Sequence, residues 1–404
     1  MSMKSIILII ILSASTIISK GDSWTQKADF GGLTREAAVG FSIADYGYIG
    51  TGRNANNAYE HDFWGWNQTS NTWTQMADFP GFPRWGAVGF SIGKKGFIGT
   101  GAIGYGTGIL DFWEYDQPSN TWSQKADFGG GIRWSATGFS VGNKGYIGLG
   151  IKPNLSAGYD LWEWDPNTNI WTQKANFGGN PRWDAVGLSI GTKGYIGNGY
   201  DGNSNYQDFW EWDQLTNTWT QKASFSNLVR RSPAGFTIGS KAYIGTGLNS
   251  NGSFNDFWEW DQATNTWTQR ASFGGTPRFW DVGFSIGGKG YMGTGSNYSI
   301  DYQDYWEYNP DSITTGMNEI SAIKTTIYPN PFSNQAILTL DVATRNTILS
   351  IFDISGNEVS RKSLTDMNTN EVTISREGLS NGMYFYKLIS EGNEILSFGK
   401  IVIE

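Results

Sequence analysis

The sequence predicts an all-β protein, most of which is one four-stranded unit repeated six times around a closed ring. The repeat runs from Trp24 to about Pro310, and the tryptophans that mark its copies lie 49, 49, 49, 48 and 48 residues apart by subtraction. The unit shows no helical periodicity, and a repeat of this length made of short strand-like runs is typical of a ring of sheets. The marking tryptophans are Trp24, Trp73, Trp122, Trp171, Trp219 and Trp267.

Each unit divides into four predicted strands, as the copy from Arg182 to Trp219 shows. An apolar run at Ala185–Ile190 is followed by a glycine turn, by an aromatic-Ile-Gly-x-Gly run ending at Gly199, and by a variable loop. Glycine supplies the positive φ that such a tight turn needs. The aromatic run Asp208–Asp213 then leads, through a turn of Asp, Asn and Thr residues that bond their own backbone, into the fourth strand.

The two ends of the repeat region complement each other. Trp24–Ala28 has the pattern of a lone fourth strand, whereas the last unit stops after its third strand at Tyr305–Tyr308. Pairing these two runs would close the ring and remove exposed strand edges that invite aggregation. We therefore predict a six-bladed β-propeller over residues 23–310, closed by its N-terminal strand.

The repeat also resembles a known family. An arginine, an aliphatic strand, aromatic-Ile-Gly-x-Gly, Asp-aromatic-Trp and a closing tryptophan recur in the order of the Kelch repeat. The adjacent glycine pair of that family is replaced here by Gly-x-Gly, so the chain resembles a divergent branch. The resemblance implies a Kelch-like propeller.

The front of the chain and the overall composition indicate export. Residues 1–20 resemble a secretory signal peptide, with Lys4 before the apolar run Ile6–Leu12 and small residues after it. That run is much shorter than the ~20 residues needed to span a bilayer, so we predict no transmembrane segment in the mature chain. The net charge of −8 argues against a nucleic-acid partner, and the chain has no cysteine for disulfides.

After a predicted linker at 311–326, residues 327–404 have a different character. They contain no tryptophan, and turn signals separate several short alternating strands. Strands at this spacing predict a small Ig-like β-sandwich. The predicted strands are Ala336–Leu340, Ile348–Phe352, Met383–Ile389 and Ile395–Ile403.

This tail resembles the C-terminal sorting domain of the type IX secretion system of Bacteroidetes. Its motifs are Tyr-Pro-Asn-Pro, Asp-x-x-Gly, Leu-Ser-x-Gly-x-Tyr and a terminal Gly-Lys-Ile-Val-Ile, and their order favours a sorting domain over an ordinary adhesive sandwich. The motif residues are Pro329, Asn330, Pro331, Asp353, Gly356, Gly382, Tyr384, Gly399 and Lys400. The resemblance implies recognition by the type IX secretion machinery and export across the outer membrane. It also implies removal of the domain, leaving the protein secreted or attached to the outer-membrane surface.

Variation along the repeat predicts where a ligand binds. All the long, variable loops join second to third strands and therefore lie on one face, where recognition is expected. Six arginines on that face form a potential electropositive ring, but a residue present in every blade is better explained as a structural pin of its own blade. They are Arg35, Arg84, Arg133, Arg182, Arg230 and Arg278.

The better binding candidates follow these arginines, at positions where the copies differ. The loop enters the innermost strand there, so these side chains should rim the mouth of the central channel. Tryptophans beside arginines and carboxylates form surfaces on which sugar rings stack and hydroxyls bond, although packing between blades is an alternative role for some of them. The candidates are Glu36, Trp85, Trp134, Trp183, Asp184, Arg231 and Trp280.

Catalytic chemistry has little support in the composition. His61 is the only histidine, so a His-rich metal site is excluded and a Ser-His triad has little support. The chain has no cysteine, which excludes thiol chemistry. Asp201-x-Asn203-x-Asn205 lacks the glycine and final acidic residue of a calcium loop. We therefore expect no metal, no cofactor and no catalytic residue.

Three functions stay open. The first is a secreted or cell-surface binding module for a glycan or glycoprotein. The second is a sugar-processing enzyme resembling the Kelch-fold sialic-acid epimerase, with Glu36 or Asp184 as base and Arg231 holding an acidic sugar, which rests on analogy of fold. The third is a structural surface protein without a small ligand. The scarcity of histidine favours the first and third functions over an enzyme.

Overall fold

The computed structural model describes residues 21–104, 106–226, 228–310, 325–344, 347–353, 357–364, 369–390 and 395–404. The described residues form strands and turns, with no helix among them. The chain divides into two compact units, Met1–Ser312 and Ile313–Glu404. The predicted signal peptide and most of the predicted linker lie outside the described residues.

The first unit contains, within its described part, six four-stranded antiparallel sheets, numbered 1 to 6 here in the order of their first strands. The first strands are Val39–Ile43, Val88–Ile92, Thr137–Val141, Val186–Ile190, Ala234–Ile238 and Val282–Ile286. The second strands are Tyr46–Gly50, Lys95–Gly99, Lys144–Gly148, Lys193–Gly197, Lys241–Gly245 and Lys289–Gly293. The third strands are Phe63–Asn67, Phe112–Asp116, Leu161–Asp165, Phe209–Asp213, Phe257–Asp261 and Tyr305–Asn309.

The fourth strands of sheets 1 to 5 complete the repeat, and short hairpins decorate three of the connecting loops. These fourth strands are Thr72–Gln75, Thr121–Lys125, Ile170–Gln173, Thr218–Lys222 and Thr266–Arg270. The hairpins pair Arg35–Glu36 with Arg53–Asn54, Ala102–Gly104 with Thr107–Gly108, and Leu248–Asn249 with Gly252–Ser253.

The six sheets surround a central channel in a propeller-like ring. Residues from all six first strands line one cavity of about 150 Å³. Neighbouring first strands lie in contact, and the ring is closed: a Cβ added to Gly40 of sheet 1 would lie 2.7 Å from the Cβ of Val282 in sheet 6. The first strands are therefore the innermost strands, as predicted.

Sheet 6 takes its fourth strand from the start of the chain. Ser23–Gln26 pairs antiparallel with Tyr305–Asn309. At each of the other five junctions, an asparagine side chain accepts a backbone N–H of the preceding sheet. At this junction Asp22 takes over, since its Oδ2 accepts the Ala271 N–H at 2.8 Å and the Tyr308 hydroxyl at 2.9 Å. The closing strand thus reproduces the bonds of an ordinary repeat.

Aromatic side chains fill the space between neighbouring sheets. The phenylalanine of a first strand lies against a glycine in the second strand of the next sheet. A Cβ added to Gly96 would come within 2.4 Å of the Phe41 ring, and one added to Gly290 within 1.9 Å of the Phe236 ring. Glycine is required at these positions because the ring occupies the space of any side chain. The second strands are almost completely buried, as expected for sheets covered on both faces.

The repeated arginines are structural pins, which confirms that prediction. Arg182 is fully buried, and its guanidinium binds both carboxylate oxygens of Asp208, at 2.5 and 2.9 Å, and donates to the Asn198 carbonyl at 2.8 Å. The Trp210 indole donates to the same carboxylate at 2.8 Å. Every sheet repeats this ion pair, through Arg35–Asp62, Arg84–Asp111, Arg133–Asp160, Arg182–Asp208, Arg230–Asp256 and Arg278–Asp304.

The second unit consists, in its described part, of two antiparallel sheets around one apolar core. The three-stranded sheet contains Thr325–Tyr328, Gln335–Thr344 and Thr369–Ser375, and the four-stranded sheet contains Thr347–Phe352, Glu358–Leu364, Gly382–Ser390 and Ile395–Ile403. Leu338 and Val372 of the first sheet share a buried cluster with Leu349, Leu388 and Ile401 of the second. No helix in the described part of the chain is long and apolar enough to cross a membrane.

Candidate functional site

A ring of backbone hydrogen bonds, called the rim ring here, surrounds the channel on the face that carries the long loops. The second residue after each repeated arginine donates its N–H to the carbonyl of the equivalent residue in the preceding sheet, at 2.8 to 3.2 Å. All six residues have a left-handed φ between 50° and 60°. They are Ala37, Gly86, Ser135, Asp184, Ser232 and Trp280. The backbone bonds fix the shape of the rim and leave its side chains to form a site.

A cavity of about 340 Å³, the mouth cavity, lies on the outer side of this ring. Six of the seven predicted binding residues line it, namely Trp85, Trp134, Trp183, Asp184, Arg231 and Trp280. Trp134 is only 4% exposed, so its ring mainly packs between sheets. Packing between blades is the alternative role that the sequence analysis gave for some of these tryptophans. The other three tryptophans are partly exposed to the cavity.

The walls of the mouth cavity combine aromatic faces with a spare hydrogen-bond donor. The Trp85 and Trp280 rings meet edge to face with centroids 5.9 Å apart, and Trp183 meets Tyr200 in the same way at 5.3 Å. The Nε1 atom of Trp85 is buried and has no hydrogen-bond partner within the described residues. A ligand oxygen could therefore accept a bond from this indole.

Two charged residues, Arg231 and Asp184, line the mouth cavity. The Arg231 guanidinium stacks on Tyr200, with Cζ 4.4 Å from the ring centroid, and forms no salt bridge with any described residue. Burial raises the pKa of the Asp184 carboxyl above its usual range. The Trp280 indole, the Ser135 and Ser232 hydroxyls and the Arg231 charge act in the opposite direction. The Asp184 carboxyl therefore takes up a proton more readily than a free aspartate side chain does.

Glu36, the seventh predicted residue, does not line the mouth cavity. It is 5% exposed and forms a salt bridge with Arg53. Burial raises the pKa of the Glu36 carboxyl, and the hydrogen bond and charge of Arg53 oppose that rise. The Arg53 guanidinium in turn lies 5.8 Å from the centre of the Trp85 ring. Glu36 thus positions Arg53 beside the mouth and is not itself placed to touch a ligand.

Sequence reasoning missed Tyr200, Ile151 and Leu155, which also line the mouth cavity. Tyr200 follows a Gly-x-Gly run and forms a β-bridge with Trp183, and Ile151 forms the equivalent bridge with Trp134. The residue after Gly-x-Gly varies between copies as the residue after the arginine does. That variation was a usable signal for Tyr200 and Ile151, whereas Leu155 lies in an irregular loop.

A second cavity, of about 130 Å³, continues the channel toward the first strands and is called the channel floor here. Asp281 lines it, at a position where the other sheets have alanine or proline. Its Oδ1 accepts the Thr246 hydroxyl at 2.9 Å, while its Oδ2 has no partner among the described residues. Burial raises the pKa of Asp281 to about 7 against the opposing charge of Arg278. The sequence analysis selected the neighbouring Trp280 as a binding candidate but missed Asp281.

In the second unit, Asn330 ties the start of the tail to its last strand. Its side-chain amide donates to the Lys400 carbonyl at 3.1 Å and accepts the Val402 N–H at 2.8 Å. Pro329 and Pro331 flank it in the chain. Two predicted sorting motifs that lie far apart in the sequence are therefore in direct contact.

The remaining predicted sorting residues serve local structure. The Tyr384 hydroxyl donates to the Ser380 carbonyl at 3.0 Å, and Asp353 accepts the Asn357 N–H at 2.9 Å. A Cβ added to Gly399 would come within 2.6 Å of the Tyr386 ring. Gly382, at φ 156°, begins the strand that contains Tyr384, and Gly356 lies outside the described residues.

Comparison with known families identifies the tail. Residues 326–404 match the family described as "Secretion system C-terminal sorting domain". The protein is therefore exported by type IX secretion to the cell surface or the extracellular space, and its tail interacts with the secretion machinery.

Comparison with solved structures supports the propeller-like ring. A structure titled "Structure of YjhT" is similar with a TM-score of 0.61 and 15% sequence identity, over 69% of this chain and 95% of that chain. At this level of identity the similarity shows the fold alone. No curated protein matches the chain by sequence.

Proposed function

We propose that this protein is an exported six-bladed Kelch-like propeller that binds a glycan or glycoprotein in the mouth cavity. The propeller spans residues 23–310, after a signal peptide at 1–20 and before a linker at 311–326. An Ig-like sorting domain at 327–404 follows and is removed after export. The observation that carries the proposal is the mouth cavity itself, with aromatic walls and unsatisfied polar groups on the loop-rich face.

The chemistry of the mouth cavity suits a sugar ring. A pyranose has apolar C–H faces that stack on aromatic rings and a rim of hydroxyls that needs hydrogen bonds. Trp183 and Tyr200 offer ring faces, whereas Arg231, Asp184 and the Trp85 indole N–H offer bonds. A volume of about 340 Å³ lies at the lower end of the range of ligand pockets, about 300–1,000 Å³. The cavity therefore fits one or two sugar residues at a chain end.

The backbone at Trp280 supports a functional role for this residue. Its φ of 53° lies in the left-handed region, where a bulky side chain is a clear outlier, while most of the equivalent rim residues are small. Such strain costs about 1–3 kcal/mol and persists mainly at functional sites. The large ring at this position is thus better explained by what it contacts in the mouth cavity than by the needs of the fold.

A glycan array probed with the purified chain tests the proposal. Arg231→Ala and Trp183→Ala each remove one wall of the mouth cavity and should weaken a saturable hit at least tenfold. Leu215→Ala is the matched control, because Leu215 is 86% exposed and lies in a turn on the opposite face. Absence of any hit for a folded protein would overturn glycan binding and leave a protein ligand or a purely structural role.

One observation favours the sugar-processing alternative. A carboxyl with a raised pKa in a ligand-sized cavity, beside a cation without a salt bridge, is typical of acid–base catalysis. In that case the Asp184→Asn chain would still bind the glycan found on the array but would no longer convert it. NMR of the anomeric and ring protons of the glycan measures that conversion. A hit that stays chemically unchanged over days would assign the cavity to binding alone.

A further inference from the structure

The channel floor differs chemically from the mouth cavity that leads into it. Oxygen groups of sheets 3 to 6 dominate the floor: the carboxyls of Asp184 and Asp281 and the hydroxyls of Ser135 and Ser232. The equivalent positions of sheets 1 and 2 carry only alanine and glycine. The acceptors therefore lie toward one side of the channel, and Ser135 and Asp184 also line the mouth cavity.

Two of these oxygens need a donor that the described residues do not supply. Asp281 Oδ2 is buried and unpartnered, and the Ser232 hydroxyl, which interacts with the Asp184 carboxyl, has no donor directed at its buried oxygen among the described residues. Buried polar atoms in native proteins almost always find a partner, so two acceptors without a donor beside an open cavity indicate a bound group that donates hydrogen bonds.

The balance of charge indicates that this group is a cation. Glu36 and Arg53 neutralise each other, and Arg278 is paired with Asp304. The Arg231 charge acts on Asp184, and no lysine or arginine is among the residues that line the floor beside Asp281, which leaves one negative charge when both carboxyls are ionised. Burial of an unbalanced carboxylate is unfavourable, so an incoming positive charge would be bound in preference to a neutral hydroxyl.

We propose that the channel floor is a subsite for a protonated primary amine, so that the preferred glycan carries an unsubstituted amino sugar at the end that enters the channel. This inference rests on glycan binding at the mouth cavity. An ammonium group has three donors and no acceptor, which matches Asp281 Oδ2, Ser232 Oγ and the Asp184 carboxyl. The neighbouring Trp280 ring can add cation–π attraction.

An N-acetyl group would not satisfy the same subsite. Acetylation removes the positive charge, leaves one N–H donor and adds a carbonyl acceptor in a cavity already rich in acceptors. The floor is also small, at about 130 Å³, and bounded by backbone of the rim ring. Glycans that differ only in this substituent should therefore differ in affinity.

Calorimetry of the full chain with three matched oligosaccharides tests the inference. Oligomers of glucosamine, N-acetylglucosamine and glucose share a β-1,4 backbone and differ at one position. At pH 6 the amine is protonated, and its charge favours release of the proton that Asp281 carries in the free chain. The glucosamine oligomer should bind at least tenfold more tightly than the other two. Asp281→Asn and Ser232→Ala should each reduce that preference to about threefold or less.

The outcomes separate this inference from the function it depends on. Equal or tighter binding of the acetylated or neutral oligomer, or no binding of all three by a chain that binds other glycans, would overturn the amine subsite alone. Calcium binding without sugar that is lost in Asp281→Asn would assign the floor to a metal and also overturn it. A chain that binds no glycan of any kind would overturn both proposals.

Discussion

Leu188 of sheet 4 and Ala242 of sheet 5 are a matched pair in one buried cluster. At each of the other five junctions, a phenylalanine of the first strand lies on a glycine in the second strand of the next sheet. Here a leucine replaces the phenylalanine and an alanine replaces the glycine. The smaller leucine leaves space that the alanine methyl group occupies, so the two departures from the repeat compensate each other.

The matched pair predicts a strongly non-additive double substitution. Leu188→Phe should lower the free energy of unfolding by about 1–3 kcal/mol, because the ring would overlap the Ala242 methyl. Leu188→Phe/Ala242→Gly should recover most of that loss, since it restores the pair found at the other junctions. Urea unfolding of both variants and of Ala242→Gly measures the coupling, and additive effects would contradict the interpretation.

The arginine pins predict a large loss of stability from one substitution. Arg84→Ala leaves the Asp111 carboxylate and the Thr100 carbonyl without their partner and should cost about 3–5 kcal/mol. Arg84→Lys should restore little, since an ammonium cannot bind both carboxylate oxygens in parallel. Arg231→Ala is the control for unfolding in urea, with an expected change below about 0.5 kcal/mol. Equal effects of the two alanine variants would argue against the pin.

The closing strand predicts a substitution that is tolerated and one that is not. Asp22→Asn should leave stability unchanged, because Asn120 already accepts a tyrosine hydroxyl and a backbone N–H at another junction. Asp22→Ala should cost about 1–3 kcal/mol, since the Ala271 N–H and the Tyr308 hydroxyl lose their acceptor. Thermal unfolding of the two variants distinguishes the cases, and a stable Asp22→Ala chain would show that the junction does not depend on these bonds.

Asp281 predicts a pH dependence of stability with a definite sign. Its pKa is raised to about 7 in the folded chain and is about 3.9 when unfolded. Between these values the folded chain keeps a proton that the unfolded chain has lost, so this group lowers the free energy of unfolding as pH rises. Relative to the natural chain, Asp281→Asn should gain up to about 1.4 kcal/mol per pH unit over this window and then level off.

Urea unfolding of the natural chain and Asp281→Asn at pH 5, 6, 7 and 8 tests this dependence. The difference between the two chains isolates Asp281, because other titrating groups are common to both. A difference that stays constant across the series would show that Asp281 titrates normally in the folded chain.

The contact between Asn330 and the last strand predicts a defect in the tail. Asn330→Asp removes the donor to the Lys400 carbonyl and places a negative charge beside that oxygen. We expect less protein at the surface of a host with type IX secretion, measured by surface labelling, with normal synthesis. Glu377→Gln, an exposed change in the same unit, is the control and should leave export unchanged. Normal export of Asn330→Asp would separate this contact from sorting.

Much of the fold could be predicted because each repeat restates the same constraints. The arginine pins, the glycine turns and the complementary chain ends are all visible as recurring residues. The tail was harder to predict, and three of its strands were missed: Thr325–Tyr328, Glu358–Leu364 and Thr369–Ser375. Glu358–Leu364 buries only Leu364 and exposes polar residues on both faces, so it shows no alternation. Its pairing with Thr347–Phe352 defines it, and that is not a local property.

The site was partly predictable for the same reason. Departures from the repeat located six side chains that the structure brings to one cavity. The salt bridge of Glu36 with Arg53 depends on the pairing of two short segments that vary independently between copies, so no pattern along the chain predicts it. The unpartnered oxygen of Asp281 is likewise a property of the packed channel.

The rim ring separates the architecture of the mouth from its chemistry. Each rim N–H is bound to the neighbouring sheet, so the backbone keeps its course whichever side chains it carries. The preceding residue in each sheet lies in an extended bridge that accepts side chains of any size, as Glu36, Trp85 and Arg231 illustrate. In each sheet, the rim residue and the residue before it can therefore be substituted without a change in the backbone of the propeller. Such substitutions would change the ligand of the mouth cavity one sheet at a time.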